Sequence, residues 1–76
     1  MESSKILNIK DLGQVVRGQR AVLGMTQEKA AGLLGISRKL LSEIETGRKD
    51  TIQMGKILQV LTRMGLEIHL RPRGPR

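Results

Sequence analysis

The 76-residue sequence predicts a mainly all-α domain of four or five helices, closed by one C-terminal β-strand. Three observations predict it. Apolar residues recur at helical spacing in four successive segments, each followed by a glycine. The period switches to strict alternation once, at Leu66-Glu67-Ile68-His69-Leu70-Arg71. A chain of this length makes a single domain with a small core.

Asn8, with Asp11 three residues later, reads as a cap and an N3 acid. Leu12, Val15, Val16, Val22 and Leu23 then mark a first helix, which Gly24 stops. Thr26 caps a second helix over residues 27–34, with Glu28 well placed in its first turn. Its apolar members are Ala30, Ala31, Leu33 and Leu34, and Gly35 suits the left-handed residue at the end of a helix. Ile36 is expected to be buried in the turn. Ser37 caps a third helix over residues 38–46, ended by Gly47. A polar loop, Arg48-Lys49-Asp50, leads to a fourth helix capped by Asp50 or Thr51 and reaching about Met64. Ile52, Met54, Ile57, Leu58, Val60, Leu61 and Met64 cover more than one face of it, so cover on two sides is expected. Gly13, Gly18, Gly32 and Gly55 weaken the helices that carry them.

A lone strand leaves its backbone donors and acceptors unpaired. Pairing of residues 66–71 with the same strand of a second copy, through Leu66, Ile68 and Leu70, gives a twofold homodimer. The alternative within one chain is pairing with Ile6-Leu7. Residues 1–7 then form an N-terminal arm, 8–65 the helical domain, 66–71 the dimerisation strand and 72–76 a flexible basic tail.

Composition narrows the function. Fourteen Lys and Arg oppose seven Asp and Glu, a net charge of +7 that favours polyanions. The absence of Phe, Tyr and Trp makes the core aliphatic, with Met25, Met54 and Met64 filling gaps in the core or between subunits, and removes the stacking platforms of single-strand binders. No cysteine and one histidine exclude disulfides, thiolate chemistry and a zinc ribbon. His69 reads as a solvated residue. No cluster of titratable groups, phosphate-loop pattern, signal peptide or membrane-length run is present, so no enzyme activity, metal or other cofactor, and no membrane contact, is expected. An intracellular, cytoplasmic chain is expected.

Two short helices joined by a tight glycine turn make a helix-turn-helix unit, whose second helix enters the DNA major groove. The third helix divides accordingly. At about 100° per residue, Leu40, Leu41 and Ile44 share one side, while Arg38, Lys39, Ser42 and Thr46 point away. Arg and Lys suit guanine O6 and N7, Ser suits several bases, and Leu40 at the boundary suits a thymine methyl. Two cations in the first turn oppose the helix dipole. They are repaid if that end lies against base edges and phosphates, and Ser37 with the free amides beside it favours a phosphate.

The stretch "MTQEKAAGLLGISRKLLSEIETGR" resembles the lambda-repressor-like (Cro/C1, XRE-type) helix-turn-helix family, through Thr26-Gln27, Ala31, Gly35-Ile36-Ser37, Ile44-Glu45 and Gly47. The resemblance implies that Gln27 contacts a phosphate and buttresses the reading helix. It implies base contacts from Arg38, Lys39 and Ser42, phosphate contacts from Arg48 and Lys49, and a structural salt bridge between Arg20 and Glu45. The ending "GKILQVLTRMGLEIHLRPR" resembles HipB-type antitoxins, in which the strand pairs across a dimer. That resemblance implies an autorepressor of a type II toxin–antitoxin operon, with a HipA-type serine/threonine kinase toxin as partner, bacterial and at the nucleoid when on its operator. The short basic tail departs from antitoxins with longer C-terminal extensions. The expected function is therefore sequence-specific binding of double-stranded operator DNA by a homodimer. The alternatives are a phage-type or restriction-modification controller without a toxin, and a protein-binding adaptor on the same scaffold.

Overall fold

The computed structural model describes residues 4–49 and 51–74. It contains four helices in succession: α1 Ile9–Val22, α2 Gln27–Leu34, α3 Arg38–Thr46 and α4 Met54–Arg63. The first three start at side-chain caps. Asn8 Oδ1 accepts the Asp11 amide at 2.8 Å, and the Asp11 carboxylate accepts the Leu7 amide at 2.9 Å. Thr26 and Ser37 accept from Lys29 and Leu40 at 3.1 and 3.0 Å. Each such cap is worth about 1 kcal/mol.

The turn between α2 and α3 closes on Gly35. Its φ of 71° lets the Ile36 amide reach Ala31 O at 3.1 Å, satisfying a carbonyl that α2 leaves open. Ile36 packs half-buried against the core and fixes the direction in which α3 departs.

The core joins all four helices through Val16 of α1, Ala30, Ala31 and Leu34 of α2, Leu41 and Ile44 of α3, and Ile57, Val60 and Leu61 of α4, with Met64 just beyond. The small Ala30 and Ala31 are fully enclosed, so α2 lies close to its neighbours. A second close approach is set by Gly13. A methyl group there would run into the backbone carbonyls of Ile44 and Glu45. This helix-weakening residue is therefore the contact point at which α1 seats on the C-terminal half of α3.

Side chains also tie α4 into place. Gln19 of α1 donates to Met64 O at 2.9 Å, and Arg63 of α4 donates to Leu34 O at 3.1 Å. The Arg63 cation thus sits at the negative end of α2.

Several sequence expectations are corrected. The fourth helix starts at Met54 behind Gln53, which makes no side-chain cap bond; Thr51 and Ile52 precede it without regular structure. Ile52 packs on the core from that segment instead. Asp50, the other candidate cap, lies outside the described residues, as do the ends of the arm and tail. Val22, Leu23 and Leu33 are exposed rather than core. Val22 stands nine residues from Gly13, about half a turn off the buried stripe of α1. Met54 and Leu58 are exposed too, so among the described residues only one side of α4 is covered.

Among the described residues no strand forms. Residues 66–72 have no regular structure, and none of 67–74 shares a backbone hydrogen bond with Ile6 or Leu7. A strand exists only against a partner edge, and none of the described residues offers the C-terminal segment one.

Candidate nucleic-acid interface

The face of α3 turned away from the core is built by Ser37 and the glycine turn before it. Arg38, Lys39 and Thr46 are exposed and Ser42 is half-buried. Two hydroxyls already have partners. Ser37 Oγ accepts the Leu40 amide, which leaves its own proton to donate. Thr46 donates to Ser42 O at 2.8 Å, so it faces outward as an acceptor. Arg48 and Lys49 come after Gly47 and are exposed at the other end of the helix. Cations therefore flank both ends of the outward face.

The back of α3 is fixed by an ion pair. Glu45 points inward and its side chain is 1% exposed. It accepts Arg20 Nε at 2.7 Å and Arg20 Nη2 at 3.0 Å, a two-point contact. Arg20 Nη1 goes on to Met25 O at 2.9 Å, which fastens the α1–α2 connection to the same group. Burial pushes the Glu45 carboxyl up, but hydrogen bonds from Arg20 and Gln27 and the charges of Arg20 and Arg17 outweigh it, and its pKa lies below the ordinary carboxylate value. The bond to Glu45 raises that of Arg20.

Gln27, at the first turn of α2, donates Nε2 to Glu45 Oε1 at 3.0 Å. This contact joins α2 to the back of the outward helix. It uses one of the two amide protons and leaves the other, and the amide oxygen, for a partner.

Two neighbours of this surface carry no signal in the sequence that would place them there. Lys10 of α1 lies beside Gly47, close enough that a Cβ on Gly47 would stand 2.8 Å from Lys10 Cα. Lys56 of α4 shares a shallow hollow of about 210 Å³ with Leu40, Lys49, Thr51, Ile52 and Gln53. The amides of Met54 and Gly55 open the uncapped α4 beside it and have no partner among the described residues. The basic rim thus draws on three separate segments of sequence.

The dimer candidates lie in different environments. Leu66 is half-buried on the core, whereas Ile68 is 47% and Leu70 93% exposed. An open groove of about 650 Å³ runs between α4 and this segment, with Leu58, Leu61, Thr62, Gly65 and Ile68 among its walls. His69 and Glu67 meet at 2.9 Å in solvent. No group of three or more His, Cys, Asp or Glu able to hold a metal occurs among the described residues, and no described helix is long and apolar enough to cross a membrane.

Comparison with known proteins agrees with this architecture. Residues 11–73 match a family model described as a helix-turn-helix domain. The chain is 34% identical over 74 residues to the HTH-type transcriptional regulator y4mF of Sinorhizobium fredii (strain NBRC 101917 / NGR234), covering 97% of this chain and 96% of that one. It is also similar to the crystal structure of the restriction-modification controller protein C.AhdI from Aeromonas hydrophila. The TM-score is 0.69 at 29% identity, over 78% of this chain and 88% of that one. The glycine turn, the outward basic helix and these matches together place the chain in the helix-turn-helix domain family, as a lambda-repressor-like, XRE-type member.

Proposed function

We propose that the chain is a sequence-specific double-stranded DNA-binding transcriptional repressor that acts by occupying its own promoter, without chemistry. The observation that carries the proposal is the division of α3. Its inner side is held by Leu41, Ile44 and the Arg20–Glu45 pair, and its outer side offers Arg38, Lys39, Ser42 and Thr46. Seated in a major groove, Arg38, Lys39 and Ser42 meet base edges. Ser37, Gln27, Arg48 and Lys49 meet phosphates on either side, and Thr46 faces the groove from the last turn of the helix.

The repressor works as a homodimer, with residues 66–71 of two copies paired and half-sites about 34 Å apart. The exposed Ile68 and Leu70, and the groove beside α4, support this: pairing gives the segment the backbone partners it lacks alone.

Two regulatory settings rest on different observations. The C-terminal pattern from Gly55 to Arg73 favours a HipB-like antitoxin that also binds a HipA-type kinase toxin. The similarity to a restriction-modification controller favours a controller without a toxin.

The test is a titration, over a range of salt, against the duplex upstream of its own gene and a scrambled duplex of equal length. Tight binding to the first alone, two chains per site, is the expected result. Equal and weak binding to both would refute sequence-specific repression and leave only a general electrostatic footprint. Co-purification of a kinase encoded beside the gene separates the antitoxin from the controller.

A further inference from the structure

We propose that Glu43 selects a cytosine in the major groove, as the anionic member of the outward face of α3; this rests on the DNA-binding reading above. Leu41, Ile44 and Glu45 are the buried residues of α3. At about 100° per residue, the direction opposite them falls between Lys39 and Glu43. Glu43 therefore lies on the outward side of α3 beside Lys39, half-buried where Arg38 and Lys39 are exposed.

The other described acids have evident structural uses. Asp11 completes the start of α1, Glu28 lies in the first turn of α2, Glu45 is paired inside, and Glu67 meets His69. Glu43 has no such use. Its backbone carbonyl accepts the Arg48 amide at 3.2 Å, but its side chain makes no hydrogen bond or ion pair among the described residues. It stands in the later half of α3, where the helix dipole disfavours an anion. Lys39 lies one turn before it, which is the weaker order for a helical pair. The carboxylate thus faces a polyanion with no ion-pair partner among the described residues.

Such a group discriminates sharply among bases. A carboxylate only accepts hydrogen bonds. The major groove offers it two donors, the cytosine N4 amino group and the adenine N6 amino group. Adenine N6 stands beside the N7 acceptor, which repels the second carboxylate oxygen, whereas cytosine N4 has a C–H neighbour. Guanine O6 and N7 and thymine O4 repel it outright. Glu43 lies five positions after Arg38, about 7.5 Å along the helix at ~1.5 Å per residue. Glu43 therefore meets a different base pair from Arg38.

The experiment selects binding sites from randomised duplexes with the wild-type chain, Glu43→Gln and Glu43→Ala, each first checked for its helical spectrum and melting. The wild type is expected to favour cytosine about tenfold at one position of each half-site. Glu43→Ala should flatten that position alone and bind random duplexes more tightly, because an anion has been removed. Glu43→Gln should move the preference to adenine, whose N6 and N7 suit an amide. If both variants keep every wild-type base preference and change affinity uniformly, Glu43 selects nothing and the proposal fails. If the wild type itself shows no base preference, the DNA-reading function fails and takes the Glu43 assignment with it.

Discussion

Replacing Arg20 with Met tests how the outward helix is held. In the native chain Glu45 is 1% exposed and takes both Arg20 contacts, at 2.7 and 3.0 Å. Arg20→Met keeps much of the aliphatic volume and leaves the carboxylate buried with Gln27 as its remaining partner. Breaking one side of a buried pair costs about 3–5 kcal/mol. A 76-residue domain has roughly 4–11 kcal/mol in all, at ~0.05–0.15 kcal/mol per residue. The variant should therefore be marginal, with a midpoint lowered by at least about 12–24 °C for a loss of ~3 kcal/mol.

The pH dependence is more diagnostic than the size of the loss. In the native chain the Glu45 pKa is lowered on folding. Its contribution is present above the ordinary carboxylate pKa and is lost as pH falls through the lower, folded value. In Arg20→Met, burial dominates and the folded pKa rises. The favourable state is then the protonated one, so stability should increase as pH falls from 7 towards about 4.3. Thermal and urea unfolding followed by circular dichroism between those limits measures both effects. A loss below ~1 kcal/mol, or a pH profile parallel to that of the native chain, would refute the assigned role of the pair.

Three further expectations concern packing, base choice and assembly. Gly13→Ala should lose about 2 kcal/mol or more in urea unfolding, because the clash with the Ile44 and Glu45 carbonyls exceeds the ~1 kcal/mol gained in helix propensity, whereas Gly32→Ala, with nothing within 4 Å, should gain about 0.5–1 kcal/mol; equal effects would contradict the close approach of α1 to α3. Arg38→Ala should cost roughly 1–3 kcal/mol of binding and relax one base position; a uniform loss over all sequences would make Arg38 a phosphate contact. Ile68→Asp should halve the mass measured by sedimentation, by placing a charge in the paired segment, and an unchanged mass would rule out dimerisation through residues 66–71.

Much of the helical part is legible in the residues because its signals are local. Asn8, Thr26 and Ser37 each cap the helix that begins after them, and Gly35 and Gly47 each end the helix before them, through bonds spanning three to five residues. The start of α4 is not legible in this way. Thr51 has the chemistry of a cap but does not fill that role, and Gln53 opens the helix without a side-chain bond. The outward side of α3 comes from helical geometry alone. Its rim does not: Lys10 and Lys56 reach it only through the packing of α1 and α4, which no local pattern encodes.

A small, basic, aliphatic, helical domain with a glycine turn before a cationic helix follows from the residues alone. Capping, periodicity and charge each act over one or two turns, so local residues suffice to specify them. Tertiary structure alone decided that Gly13 is a contact point rather than a weakness, that Val22 and Leu33 face solvent, and that Gln19 and Arg63 close the ends of distant helices. It also left residues 66–71 without a partner strand among the described residues. Each of these depends on which surfaces meet, and a strand in particular has no existence apart from the edge that completes its hydrogen bonds.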